Sequence, residues 1–448
     1  MQLSLEQNRG LADALATVEA TYRARHPNSA RRHALAAEHM PGGNTRTVLH
    51  YSPFPLTWAS GEGCHLTDID GLRYLDLLGE NSAGLYGHSN PIIQAAMKKA
   101  IDDGLALGGP NVYEARLAGA IRARFPSIDL LRFTNSGTEA NLMALSAVRA
   151  LSSGRSRIMV FEGGYHGSVF YFRRGHSQLN APFNWLISEY NDIEGTRALL
   201  RAHGATLAGV IVEPMQGGGC IPGSREFLSM LRKECTAQDI VLIFDEVMTS
   251  RLSPAGLQGL LDVKPDMTTL GKYLGGGASF GAFGGRRDIM ERFDPARLDS
   301  FAHAGTFNNN VLSMAGGLAG LNEVFTPSEA IRINALGDRL RERLNKVAAA
   351  RGTPFEATGI GSLIGLHFGG PGIQNVADIN HGNETGKSAQ TALETLFHLE
   401  MLNQGYHFAR RGYMALSLPT TDTDCAGFAA AVDEFLAAHR ALIEAALS

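Results

Sequence analysis

The sequence predicts an α/β fold. A large domain carries a mostly parallel central sheet with helices on both faces, and a smaller α+β domain is assembled from both ends of the chain. Three observations predict this. Between residues 130 and 285 the pattern of strand, glycine-bearing loop and helix recurs, which is how parallel strands joined by crossovers read. Val241-Leu-Ile-Phe runs apolar into Asp245, as a strand buried on both faces does. After Pro327 the composition shifts to a charged helix, where the chain returns to the smaller domain. The expected segments are 1–75 and 327–448 for the smaller domain and 76–326 for the larger.

The 448 residues, 44% of them apolar, exceed one simple domain and suffice for a sizeable core. A net charge of -4 without runs of like charge speaks against a nucleic-acid surface and for a small-molecule partner. Cys64, Cys220, Cys235 and Cys425 lack metal-ligand spacing, so a reduced compartment and no metal are expected. The first residues lack a basic stretch followed by an apolar core, and Glu6, Asp13 and Glu19 do not suit a transit peptide. No apolar run is long enough to cross a membrane. The expectation is a cytoplasmic protein.

In chain order, residues 11–25 have helical spacing, and Pro27 is expected to end that helix. Pro41-Gly-Gly-Asn-Thr-Arg46 places an arginine in a turn-rich loop, where it is either solvated or a bidentate carboxylate partner. Alternation around Leu56–Trp58, Cys64–Leu66 and Tyr74–Asp76 predicts an antiparallel meander. Helices are expected over 91–104 and 113–125. Strand 130–134 then runs into Asn135-Ser136-Gly137-Thr138-Glu139 and a helix through Ala150. Backbone N–H groups and hydroxyls at such a helix start suit a phosphate, and equally serve a plain N-cap.

Strand 157–161 leads into Gly163-Gly164-Tyr165-His166-Gly167, where an aromatic among glycines can lie against a flat ring or pack as core. Strand 207–212 ends in Glu213-Pro214. About 27 residues after Asp245 comes Lys272, flanked by Gly271, a gap that holds one crossover helix and a return strand. Aspartate and lysine can then meet in one crevice. A lysine there can form a Schiff base with a carbonyl compound, and an aspartate can hold a pyridine nitrogen protonated, which is what pyridoxal phosphate requires. Taken alone, the two residues suit a loop carboxylate and a surface lysine as well. Thr306, in Gly305-Thr-Phe, is a second phosphate donor or a cap. A charged helix over 329–350, strands near 362–368 and 413–418, and helices over 389–403 and 424–446 complete the chain, with Arg410 and Arg411 just before the last strand.

In combination, Asn135-Ser-Gly-Thr-Glu-Ala, Gly164-Tyr-His-Gly, Val212-Glu-Pro, Asp245-Glu-Val-Met-Thr, Thr269-Leu-Gly-Lys and Gly305-Thr-Phe make the chain resemble the class III aminotransferases of the fold type I pyridoxal-phosphate enzymes. The likeness runs from about Met40 to the C-terminus and is strongest to the β-amino-acid aminotransferases and the glutamate-1-semialdehyde aminomutases. It implies pyridoxal 5'-phosphate as cofactor. Lys272 would hold it covalently and shuttle the proton, and Asp245 would pair with the ring nitrogen. Tyr165 and Val247 would cover the two ring faces, and Ser136, Gly137 and Thr138 would bind the phosphate. Thr306 would reach in from the second subunit of a homodimer, and Glu213 matches a position near the cofactor.

The resemblance further implies that Arg46 binds the carboxylate of a β-amino acid and that Arg411 is the mobile arginine receiving the keto acid. Many class III members carry Gln-Gly-Glu where this chain has Gln216-Gly217-Gly218, so the glutamate that neutralises that arginine in ornithine-type members is missing. The expected reaction moves the amino group of a β-amino acid to 2-oxoglutarate or pyruvate. The alternatives are glutamate-1-semialdehyde aminomutase and a primary-amine transaminase. A nicotinamide oxidoreductase is disfavoured, since no Gly-x-Gly-x-x-Gly follows the first strand.

Overall fold

The structure, a computed structural model, describes residues 5–173, 175–379 and 384–447. The first four residues, which enter the reading of the N-terminus, lie outside the described residues. The chain divides into two compact units. One takes the N-terminal segment through Asn90, Ala335–Ile373 and the C-terminal segment from Ala377; the other takes Pro91–Asn334 with Gln374–Val376. The first boundary thus falls at 90/91 where 75/76 was expected. Residues 77–88 stay with the smaller unit because their backbone bonds to it: Ala415 N donates to Leu77 O at 2.7 Å and Leu418 N to Leu85 O at 2.7 Å. The second boundary falls inside the helix Pro327–Arg351, a few residues beyond the expected 326/327.

The larger unit is built on seven strands in the order Leu130–Thr134, Gly281–Gly285, Met267–Gly271, Val241–Asp245, Leu207–Val212, Arg157–Phe161 and Asn184–Ser188. Gly281–Gly285 runs antiparallel to both neighbours, and every other pair is parallel. Val241–Asp245 is central and buried from Leu242 onward, which is why it shows no alternation. The helix Gly137–Leu151 packs Ala140, Ala144, Leu145 and Val148 against Ile158, Ile211 and Ile243. The edge strand Asn184–Ser188 was not anticipated. It is only partly buried, and its apolar run, Trp185-Leu186-Ile187, is shorter than that of the central strand.

Glu246, next to Asp245, turns away into structure. Fully buried, it accepts from Leu257 N at 2.7 Å, Gln258 N at 3.0 Å, Gln258 Nε2 at 3.0 Å and the Thr249 hydroxyl at 3.1 Å. Burial pushes its carboxyl up, and these donors hold it back. It ties the loop after the central strand to the start of helix Gly256–Leu261.

The smaller unit holds a four-stranded sheet. Trp58–Glu62, His65–Asp68 and Arg73–Asp76 form the expected antiparallel meander, and Tyr406–His407 adds parallel to Arg73–Asp76. A second, antiparallel sheet pairs Phe355–Ile360, Leu363–Phe368 and Tyr413–Ala415. Pro27 does more than end a helix: it opens the next, Pro27–Ala37, at the first position, where a missing N–H costs nothing. Asp76 is buried at the end of its strand. Its Oδ1 accepts from Leu78 N at 3.0 Å, Gly79 N at 3.1 Å and His407 Nδ1 at 3.1 Å, and its Oδ2 from His88 Nε2 at 2.9 Å. Burial alone would raise this carboxyl, but the bonds and charges of His407 and His88 hold it well below the ordinary carboxylate range.

Two outcomes follow for stability. Glu246→Ala leaves several buried donors without an acceptor, so chemical denaturation should show a loss of about 3 kcal/mol or more. The contribution of Asp76 has the opposite sign to acid: a depressed folded value makes it fully present above about pH 4, the unfolded carboxyl range, and lost as pH falls towards the folded value. Asp76→Asn should therefore be less stable at neutral pH and lose less than the parent between pH 4 and pH 2.

Candidate active site

Strands Val241–Asp245 and Met267–Gly271 lie side by side in parallel, with Asp245 opposite Thr269, so their C-terminal ends open on the same edge. Ligands of such sheets bind at that edge. Lys272 is the first residue beyond Gly271 and is half-buried. Its φ is +56°, in the left-handed region that L-residues avoid. A lysine in that conformation at a strand end is local strain that its surroundings sustain, the kind found at functional sites.

Asp245 is buried, and its carboxylate is supplied with donors from three places. Asn141 Nδ2 donates to Oδ2 at 2.7 Å, His166 Nδ1 lies 2.8 Å from the same oxygen, and Val247 N donates to Oδ1 at 3.0 Å. Asn141 is itself oriented: its Nδ2 also donates to His166 O at 2.9 Å, and its Oδ1 accepts from the Thr269 hydroxyl at 2.6 Å. Burial would lower the basicity of His166, but the Asp245 hydrogen bond and charge, with Glu213 adding, outweigh it and raise its pKa. The result is a hydrogen-bonded histidine–aspartate pair held at one end of the site. Oδ1 keeps a lone pair beyond the bond from Val247 N.

Beside it stands the helix start read as a phosphate cradle. Ser136 caps helix Gly137–Leu151 by accepting from Glu139 N at 3.2 Å, and Glu139 Oε2 accepts from Asn135 N at 2.8 Å. Ser136 is exposed, and Gly137 and Thr138 are half-buried. Glycine is required at 137 because a Cβ there would stand 2.8 Å from both Val247 methyls. Gly167 is placed the same way: its φ is +120°, and a Cβ would fall 2.2 Å from Thr138 Oγ1. The cradle, Val247 and the Tyr165 loop are therefore packed on one another without room to spare.

Tyr165 is held by its backbone. Its N–H donates to Glu213 Oε2 at 2.9 Å, and Glu213 Oε1 accepts from Gly217 N at 3.0 Å. The ring is 47% exposed and meets Tyr171 edge-on, centroids 5.3 Å apart. Burial, with Asp245 nearby, pushes the Glu213 carboxyl up to about 7, while His166 and the two backbone donors pull the other way. Thr306 is exposed, in a loop tied to the cradle where Asn135 Nδ2 donates to Asn308 Oδ1 at 2.9 Å.

The larger unit thus gathers Ser136, Gly137, Thr138, Tyr165, Glu213, Asp245, Val247 and Lys272. The two arginines belong to the smaller unit. Arg46 Nη1 pairs with Glu80 Oε1, and the Arg411 guanidinium lies 5.7 Å from the centroid of the Tyr413 ring. Reading the sequence left three residues without a role: Asn141, His166 and Thr269. Asn141 had a signal, since it is a polar residue among the apolar positions of the Ala140–Val148 helix face. His166 and Thr269 had none beyond lying inside quoted motifs.

These side chains suit pyridoxal phosphate on their own chemistry. A buried carboxylate with a spare acceptor position fits a protonated ring nitrogen, a helix start with an exposed serine fits a phosphate, and a half-buried lysine next to glycine fits a carbonyl.

The model of the family described as Aminotransferase class-III matches residues 49–399. The chain is 48% identical over 431 residues to a β-phenylalanine transaminase of Variovorax paradoxus, covering 96% of this chain and 97% of the relative. Among solved structures, a β-phenylalanine aminotransferase from Variovorax paradoxus superposes with a TM-score of 0.93 at 47% identity, covering 96% of this chain and 99% of the other. An ω-transaminase from Sphaerobacter thermophilus gives 0.84 at 32% identity, covering 94% and 98%. A buried aspartate and a strained lysine at adjacent strand ends, beside a helix-start cradle, accord with that likeness, and the chain belongs to the class III aminotransferases, enzymes that depend on pyridoxal phosphate.

Proposed function

We propose that this enzyme is a transaminase for β-amino acids. It takes the amino group of a donor such as β-phenylalanine and passes it, in a ping-pong cycle, to 2-oxoglutarate or pyruvate. The observation that carries this reading is the whole-chain likeness to a β-phenylalanine transaminase in a chain that has Arg46 and Arg411 on separate loops. A β-amino acid sets its carboxylate one carbon further from the reacting centre than an α-keto acid does. Two arginines on separate loops would serve the two partners, each offering a planar fork to a carboxylate.

Pyridoxal phosphate, when bound, supplies an aldehyde that takes up the amino group and a ring that draws electrons from the donor carbon. The protein does the rest. Lys272 Nζ holds the cofactor and carries the proton off the amine-bearing carbon. Asp245 keeps the ring nitrogen protonated, and His166, Asn141 and Val247 N hold Asp245 in place. Ser136, Gly137 and Thr138 would bind the phosphate, and Tyr165 and Val247 would pack against the ring. Glu213 fixes the Tyr165 loop through Tyr165 N and Gly217 N.

We further propose a homodimer in which Thr306 completes the phosphate site of the partner. The exposure of Thr306 and of its neighbour Phe307, which is 65% exposed, supports this. Four buried free cysteines suit a cytoplasmic protein. Among the described residues no helix is long and apolar enough to cross a membrane.

The deciding measurement is the absorption of the holoenzyme mixed separately with β-phenylalanine, glutamate, an arylalkylamine and glutamate-1-semialdehyde. The cofactor band should be lost rapidly with β-phenylalanine and restored by 2-oxoglutarate or pyruvate. A response confined to the semialdehyde or to the arylamine would instead establish an aminomutase or a primary-amine transaminase. Lys272→Ala should abolish the cycle in every cuvette. In steady state, Arg46→Ala should raise KM for β-phenylalanine about ten-fold or more, the scale of a charged hydrogen bond, and Arg411→Ala should do the same for the keto acid.

A further inference from the structure

Arg46 is presented by a stiff loop. Asn44 Oδ1 accepts from Arg46 N at 3.0 Å, Asn44 Nδ2 donates to Gly42 O at 2.9 Å, and Leu49 N donates to Arg46 O at 2.9 Å. Its guanidinium is occupied by Glu80, and the two side chains are 44% and 56% exposed. An ion pair so exposed does little for stability.

The backbone that presents Glu80 is costly by comparison. Gly79, Glu80, Asn81 and Ser82 have φ of 52°, 48°, 53° and 75°, so three consecutive non-glycine residues sit in the left-handed region. Each such residue costs at least as much as an exposed pair returns.

The turn persists because the smaller unit grips it at its root. Asp76 accepts from Leu78 N and Gly79 N, and Gly84 N closes onto Gly79 O at 2.8 Å. Leu77 O takes Ala415 N at 2.7 Å, and a Cβ on Gly79 would stand 2.8 Å from Ala415 O. Ala415 ends the strand that begins two residues after Arg411. One scaffold therefore aims Glu80 at Arg46 and carries the approach to Arg411.

We propose that Glu80 is a specificity residue for the amino donor, the resident counter-ion of Arg46 that a donor carboxylate displaces. This rests on the reading of Arg46 as the donor-carboxylate site. Glu80 holds Nη1 of the Arg46 guanidinium, one arm of the fork a second carboxylate would grip bidentately, and two carboxylates brought to that fork repel. Glu80 is half exposed, so once released it is taken up by water. A donor without a carboxylate does not open the pair, and Arg46 then stays neutralised beside it.

The test is steady-state kinetics of the holoenzyme, with β-phenylalanine and with an arylalkylamine lacking a carboxylate, for Glu80→Gln, Glu80→Asp, Arg46→Ala and the Arg46→Ala/Glu80→Gln double variant. Glu80→Gln should lower KM for β-phenylalanine by about two- to five-fold, the scale of an exposed pair, with kcat and the keto-acid KM unchanged. Glu80→Asp, which keeps the charge on a shorter arm, should fall between. KM for the carboxylate-free amine should not move, and the effect of Glu80→Gln should vanish in the Arg46→Ala background.

A rise or no change in KM for β-phenylalanine in Glu80→Gln overturns the proposal, and so does an equal fall in the Arg46→Ala background, which would mark a general charge effect. If Arg46→Ala alone leaves that KM unmoved, the reading of Arg46 itself fails. A null result for Glu80→Gln with Arg46→Ala impaired removes only the role of Glu80.

Discussion

A carboxylate buried at the end of a central strand must be given hydrogen-bond donors, and the larger unit is arranged to supply them to Asp245. Asn141 comes from the helix Gly137–Leu151, His166 from the loop after strand Arg157–Phe161, and Val247 N from the turn that follows Asp245. Each donor is itself constrained, Asn141 by Thr269 and by His166 O. The helix that delivers Asn141 is the one whose first turn forms the cradle, and the loop that delivers His166 also presents Tyr165. Satisfying one buried carboxylate thus fixes the start of that helix and the Tyr165 loop together.

The same device recurs in the smaller unit with a different purpose. Asp76 is also a buried carboxylate at a strand end, fed by His88, His407 and two backbone N–H groups. What it organises is the left-handed turn from Gly79 to Ser82. Strain is stored where it serves: in the larger unit at Lys272, φ +56°, and in the smaller unit at Glu80 and its neighbours. In the smaller unit the satisfied carboxylate of Asp76 lies within a few residues and holds the start of the strained turn through Leu78 N and Gly79 N.

The division of labour between the units follows from chemistry. The polar groups gathered around Asp245 are embedded in a packed α/β layer, where glycines at 137 and 167 leave no slack. In the other unit Arg46 and Glu80 pair through exposed side chains on loops, where partners exchange at low cost.

Local pattern was enough for much of this. Apolar stretches at 158–161, 207–212 and 241–244 read as buried strands, and the strand–loop–helix recurrence placed Ser136, Tyr165, Asp245 and Lys272 at strand C-terminal ends on one edge of a parallel sheet. The aminotransferase family was legible from the same motifs. Pattern failed where burial is partial or where a partner is distant in sequence. Asn184–Ser188 is a strand because Arg157–Phe161 pairs with it, and residues 77–88 stay with the smaller unit because residues 415 and 418 bond to them. Asn141 and His166 became part of the site only when folding brought them to Asp245, 104 and 79 residues away, and Arg46 acquired its counter-ion across 34 residues. Periodicity reports what a residue's own element buries. Which buried polar group answers which is a three-dimensional matter, decided when desolvated donors and acceptors had to be paired.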